Sequence, residues 1–264
     1  MKRLEGGLVG YDEPVDRIGV ISLSDSDHLN AMSEDMAGDF KSLISKLGEK
    51  HKHLRAVILT GVGRAFSAGG DLKMLQEKTR FAGEENRLKM LDYYSSFLCI
   101  RNLGIPLIAA INGPAVGAGL CLACACDIRV ASENAKLGMT FVRLGLHPGM
   151  GATFFLPMIM GQARASEFML TARVITAQEA ANIGIVSRVV AESELMNEAK
   201  GIAKDIVACG PQAVRQLLET LRMNQSELDN ALKREASIQA VNYASPEFAE
   251  GVKAIMEKRA PKFE

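Results

Sequence analysis

The sequence has no tryptophan, no net charge and no long apolar run. Lys and Arg together number 31, matched by 31 Asp and Glu. A balanced chain argues against nucleic acid as the main partner, because neutralising phosphates takes a basic excess or stripe. No apolar stretch approaches the roughly 20 residues that span a bilayer, since Gly, Pro or charge interrupts each one, so no membrane partner is expected. The opening MKRLEGGLVGYDEP carries Lys2 and Arg3 but no apolar segment after them, and does not read as a signal peptide. Five cysteines, an odd number over 264 residues, argue for reduced thiols and a cytoplasmic setting rather than a disulfide framework. Cys121 and Cys124 have a C-x-x-C spacing, yet no second pair or nearby His completes a zinc set, so no metal is expected.

What is present is ordinary for a soluble α/β protein: 48% hydrophobic and 23% charged residues. The length suits one large domain, or one domain with a helical extension. Arg17 to Leu23 alternates like a strand, and helix-period apolar residues run from Ser33, a candidate N-cap, to Leu47. Leu54 to Thr60 and Leu107 to Ile111 are apolar runs that read as strands buried on both faces. Residues 84–103 read as a long helix, residues 128–131 as a strand, and Ile185 to Val190 as a short one. Segments 151–171, 176–183, 193–208, 211–223, 225–243 and 246–259 read as helices. Strands alternating with helices imply parallel or mixed sheet. A boundary near 200 separates a core, 1–200, from a helical region, 201–264, whose stripe Ala213, Val214, Leu217, Leu218 and Leu221 is too apolar for a solvated extension.

Two glycine-rich loops, each following a buried strand, carry the chemistry. The first is Gly63-Arg64-Ala65-Phe66-Ser67-Ala68-Gly69-Gly70-Asp71. The second runs from Asn112 to Gly119 and leads into the small, apolar segment Leu120 to Ala125. A strand, a tight loop and a helix N-terminus aim unpaired backbone N–H groups at a developing negative charge. One N–H from each loop, converging on one oxygen, makes a two-donor oxyanion hole. Two unrelated tight turns are the alternative.

Taken in order, HLNAMS (28–33), RAFSAGGDL (64–72), IAAINGPAVGAGLCLACACDIRVAS (108–132), AKLG (135–138), LTARVITAQEAANIGIVSRVV (170–190) and SPEFAEGVKAIMEKRAPKF (245–263) resemble the crotonase, or enoyl-CoA hydratase/isomerase, superfamily. The resemblance implies a spiral of ββα turns, a C-terminal helical trimerisation region, trimers or dimers of trimers, and an acyl-CoA thioester substrate. Coenzyme A then enters as part of that substrate, with no separate cofactor. Carried over by position, the oxyanion-hole donors are the N–H groups of Gly70 and Ala118. His28, Leu29, Ala68 and Leu72 match positions along the CoA and pantetheine channel, and Asp71 beside them is either a helix N-cap or a catalytic acid.

The resemblance also exposes a departure. Where hydratases of this family carry two glutamates, this chain has Cys121 and Phe141. Adding water takes a group that deprotonates it while a proton reaches the α-carbon, which is work for carboxylates. Isomerisation, hydrolysis or decarboxylation use the same hole with fewer of them, and a non-catalytic acyl-CoA binder is the alternative. Phe141 is expected to fill the acyl pocket. Cys121, in the first turn of a helix whose dipole lowers a thiol pKa, is either a nucleophile or a small apolar filler. His147, in GLHPGMG, is either the acid/base group or a brace for its loop. Arg143 is either a charge partner of the substrate or a surface residue; Lys258, Arg259 and Lys262 either reach the CoA phosphates or lie at the surface. Ala65-Phe66-Ser67-Ala68-Gly69, followed by Asp127 and His147, also has the order of a hydrolase nucleophile elbow, though without its first glycine.

Overall fold

The computed structural model describes residues 2, 3, 7–50 and 53–263. Its strands are β1 (Lys2–Arg3), β2 (Val9–Val15), β3 (Ile18–Leu23), β4 (Ala56–Gly61), β5 (Leu107–Ile111), β6 (Ala115–Val116), β7 (Ile128–Ser132), β8 (Lys136–Gly138), β9 (Val174–Thr176) and β10 (Arg188–Val190). The helices are α1 (Glu34–Lys50), α2 (Leu72–Glu77), α3 (Gly83–Leu98), α4 (Ala118–Ala125), α5 (Ala152–Met160), α6 (Gln162–Leu170), α7 (Ala177–Asn182), α8 (Leu195–Ala208), α9 (Pro211–Leu221), α10 (Gln225–Asn242) and α11 (Pro246–Met256). None of them, among the described residues, is long and apolar enough to cross a membrane.

Seven strands form one sheet in the order β1-β2-β3-β4-β5-β7-β10, antiparallel from β1 to β3 and parallel from β3 onward. The apolar runs follow from its position, because a parallel sheet is covered on both faces. Val57, Leu59, Leu107, Ala109 and Ile111 face the main core. Their neighbours Ala56, Ile58, Ile108 and Ala110 lie under Leu195, Ala199 and Ala203, a stripe at four-residue spacing on α8. Position 200 thus falls inside a helix that closes one face of the sheet.

A second layer of short segments gives the chain its ββα rhythm. After β3 the chain passes through Met32 into α1, after β4 through residues 67–70 into α2, and after β5 through β6 into α4. These short segments lie side by side: Met32 bridges Gly70, Ser67 bridges Ala115, β6 pairs with β8, and β8 pairs with β9. This is a mixed α/β spiral, and each turn delivers one loop to the same edge.

Several expected elements differ in extent. The helix expected over 151–171 is two helices, α5 and α6, parted at Gly161, whose φ of +81° no helical residue adopts. The one expected over 84–103 is α-helical only to Leu98 and tightens to a 3₁₀ turn through Leu103. The strand expected from Ile185 is reduced to Arg188–Val190. In the C-terminal region α10 packs along α3, and Leu228, Ala236, Tyr243, Phe248 and Val252 join the main core. Leu217, Leu221 and Met223 remain exposed.

Candidate active site

The first loop is held from within. Ser67 Oγ donates to the Asn30 carbonyl (2.8 Å) and accepts from Gly69 N–H (3.1 Å). Asn30 Nδ2 in turn donates to the Val62 and Ala65 carbonyls, at 3.0 and 2.8 Å. Met32 N–H donates to the Gly69 carbonyl, while Asp71 N–H donates to the Met32 carbonyl. Both groups of Met32 are thereby spent on residues 69 and 71. In an extended segment alternate N–H groups point to opposite sides, so Gly70 N–H faces away from Met32. It has no acceptor among the described residues.

The second loop arrives against the first. Val116 N–H donates to the Ser67 carbonyl and Gly117 N–H to the Gly138 carbonyl, which leaves Ala118 N–H as the first free donor of α4. The two loops touch at Gly69. A Cβ there would lie 2.6 Å from the Val116 carbonyl oxygen and 3.5 Å from Ala118 N, at a φ of +96° that a side chain would strain. The close approach takes a glycine, and it brings Gly70 and Ala118 to one wall.

That wall belongs to a cavity of about 450 Å³. Gly70 and Ala118 line it together with His28, Leu29, Ala68, Asp71, Leu72 and Phe141, so eight sequence-selected residues meet in one place. His28 stands at the rim with its side chain 74% exposed, and Asp25 beside its Nδ1 (2.9 Å) raises its pKa. Asp71 Oδ1 accepts from Met74 N–H (2.8 Å) as the N-cap of α2. Among the described lining residues the carboxylates are Asp27 and Asp71.

Two acid/base candidates lie elsewhere. His147 lines a different cavity, with Val142, Thr153, Asn242 and Glu247. Its Nδ1 is 2.7 Å from the Pro148 carbonyl, its N–H donates to Asn242 Oδ1, and burial lowers its pKa. It braces its loop against α10. Cys121 is wholly buried in α4, three residues past Ala118, with Sγ 3.3 Å from the Gly149 carbonyl. Burial pushes its thiol well above the usual range, which reverses the effect expected of the helix dipole. The hydrolase order does not assemble either: Ser67 is a buried strut, while Asp127 is held by Arg222 and Leu107 N–H. Arg259 is paired with Glu250 and Glu257 rather than free for a phosphate.

The buried carboxylate Glu235 is also occupied. It accepts from Gly151 N–H (2.7 Å), Thr153 N–H (2.9 Å) and Thr153 Oγ1 (2.6 Å), closing the N-terminus of α5, and burial raises its pKa. The cavity instead presents polar side chains that sequence reasoning missed: Tyr93 and Tyr94 from α3, and Gln239 and Tyr243 from α10 or its end. In the sequence Met90, Tyr93, Tyr94 and Phe97 look like one apolar stripe. The available signal was the series Glu235, Gln239, Tyr243, polar groups at four-residue spacing on the inward side of a helix.

Comparison with known proteins decides the family. The family model described as enoyl-CoA hydratase/isomerase matches residues 14–264. The chain belongs to the enoyl-CoA hydratase/isomerase family. A short-chain-enoyl-CoA hydratase of Clostridium acetobutylicum is 34% identical over 254 residues, covering 92% of each protein. The crystal structure of an enoyl-CoA hydratase/isomerase from Pseudoalteromonas atlantica superposes with a TM-score of 0.85 at 29% identity, covering 97% of this chain and all of that one. An enoyl-CoA hydratase from Bacillus anthracis gives 0.76 at 34% identity, with 97% and 98% covered. The spiral is therefore the crotonase fold, and the protein is an acyl-CoA-processing enzyme of the hydratase/isomerase family.

Proposed function

We propose that this enzyme holds a coenzyme A thioester with its carbonyl oxygen between the N–H groups of Gly70 and Ala118. The observation that carries the reading is that neither donor has an acceptor among the described residues and both residues line one cavity, on loops in van der Waals contact. A thioester enolate or tetrahedral adduct concentrates charge on that oxygen, and donors fixed beforehand stabilise it without reorganisation. Coenzyme A arrives as part of the substrate, along His28, Leu29, Ala68, Asp71 and Leu72, and Phe141 borders the acyl group. The exposed Leu217, Leu221 and Met223 support self-association as trimers or dimers of trimers.

The same geometry argues against ordinary two-glutamate hydration. Cys121 and Phe141 stand at the glutamate positions, and Glu235 is spent on Gly151 and Thr153. Isomerisation, hydrolysis and decarboxylation keep the oxyanion and need fewer carboxylates, so the reading favours them. The test is to incubate the purified protein with crotonyl-CoA and a panel of acyl-CoAs, following turnover and binding separately. Turnover of a thioester that is not simple hydration supports the reading. Tight binding with no turnover of any member would overturn its catalytic half, and absence of binding would overturn it altogether.

A further inference from the structure

The cavity wall behind the hole carries polar side chains that the two donor loops do not use. Tyr94, Gln239 and Tyr243 are each about 1% exposed and line the cavity together. Gln239 Nε2 lies 2.7 Å from the His147 carbonyl, and a backbone carbonyl can only accept. That contact fixes the orientation of the amide, so Oε1 faces the phenols. Tyr94 Oη donates to Oε1 at 2.6 Å. Tyr243 Oη lies 3.3 Å from the same Oε1 and 3.4 Å from Met90 Sδ, and donates to one of them. Tyr93 Oη donates to the Met32 carbonyl at 2.7 Å.

The hydrogens of these three phenols are thereby committed inside the protein, and what each has left is its acceptor capacity. The second Nε2 hydrogen of Gln239 has no acceptor among the described residues. Burial keeps the Tyr93 and Tyr94 phenols protonated, which preserves this arrangement. The wall therefore offers several acceptors and one donor among apolar neighbours Met90, Leu144, Leu146 and Met150. Buried polar groups with unused capacity cost stability unless a ligand completes them.

The depth of this cluster can be followed residue by residue. Cys121 lies three residues past Ala118, about 4.5 Å along the helix axis. Its Sγ contacts the Gly149 carbonyl, and a Cβ on Gly149 would lie 2.5 Å from Tyr94 Oη and 2.7 Å from Gln239 Nε2. Two residues, Cys121 and Gly149, thus lie on the contact path from Ala118 to the cluster, and Ala118 and the cluster line the same cavity.

We propose that the acyl group this enzyme takes carries a hydroxyl beyond its β-carbon, and that Tyr94, Gln239 and Tyr243 recognise it. The hydroxyl donates to a phenol oxygen and accepts from the free Gln239 N–H. A carbonyl or carboxylate at the same place has only acceptors to set against the phenol lone pairs and is disfavoured. The inference rests on the proposed thioester site.

The test is a binding series with the full-length protein, using alkanoyl-CoAs and ω-hydroxyalkanoyl-CoAs of matched chain length. At the length that reaches the cluster, the hydroxylated ligand is expected to bind at least about tenfold tighter, the effect of one well-made buried hydrogen bond. Tyr94→Phe is expected to bring that ratio toward one, and Tyr243→Phe serves as a second variant should the first not fold. A merely structural role for the phenols would weaken both ligands alike and leave the ratio intact, which counts against the proposal. A ratio near one in the wild type at every length, with both series binding, overturns the hydroxyl assignment alone. Tighter binding of ω-carboxyl ligands than of ω-hydroxyl ligands overturns the donor assignment. If neither series binds, the thioester site itself is overturned.

Discussion

The substitution Ala118→Pro deletes one proposed oxyanion donor and sets the ring Cδ where its hydrogen stood, while leaving the helix bonds in place. Ala118 is the first residue of α4, the position where proline is favoured because its N–H has no helical partner. Proline constrains the residue before it to extended geometry. Gly117, at φ 52° and ψ −121°, holds the mirror image of that geometry, open to glycine alone. The first helical bond, Cys121 N–H to the Gly117 carbonyl (3.0 Å), is untouched. Stability is therefore expected to change by no more than about 1 kcal/mol, a shift of about 2–4 °C in Tm for a protein of this size. Turnover is expected to fall by at least about 10²–10³, the cost of one oxyanion-hole donor, or about 2.7–4 kcal/mol, since the ring also crowds the place of the oxygen. The assay pairs turnover on the best thioester of the acyl-CoA panel with the infrared carbonyl stretch of a bound, carbonyl-labelled thioester. Two N–H donors polarise the carbonyl and lower that stretch, and the variant should recover part of the shift. A folded Ala118→Pro protein with turnover within about threefold of wild type and an unchanged stretch would refute the reasoning.

Three further outcomes are expected. His147→Ala should retain turnover, since the imidazole lines a separate cavity and is bonded to Pro148; a pH–rate profile losing a limb in the variant would return it to the reaction. Glu235→Gln should cost about 1–3 kcal/mol in denaturant unfolding, because both oxygens accept from N–H groups and an amide NH₂ must then face a donor. Burial raises the Glu235 pKa in the folded state, so its contribution is full below the ordinary carboxylate pKa and declines as pH rises through the folded value. The difference in stability between wild type and variant should follow that decline; an increase with pH would contradict it. Alkylation of the native protein should label the exposed Cys209 and spare Cys121, Cys124 and Cys126 until unfolding, since burial pushes Cys124 up to about 11 and Cys126 up to about 12. Peptide mapping reads the order directly, and early labelling of Cys121 would count against its burial.

What the chain alone determined is what short-range physics encodes. The runs at β4 and β5 are apolar because a parallel sheet buries both faces, and that pattern is visible residue by residue. Ser33 and Asp71 cap helices from positions their type favours. The two glycine loops were legible for the same reason, since small residues mark the backbone that must come close to something. Tertiary structure decided how those loops meet and what stands behind them. Tyr94 and Gln239 are 145 positions apart, and nothing local marks them as partners. His147 is near Phe141 in sequence, yet its loop turns toward Asn242 and carries the imidazole out of the cavity. Cys121 shows the balance most directly. Its place in the first turn of α4 is a local fact that favours a lowered thiol pKa, whereas complete burial in the folded protein raises it. A dipole is a property of one helix and can be read along the chain, while desolvation is a property of everything packed around the group, and only the folded protein supplies it.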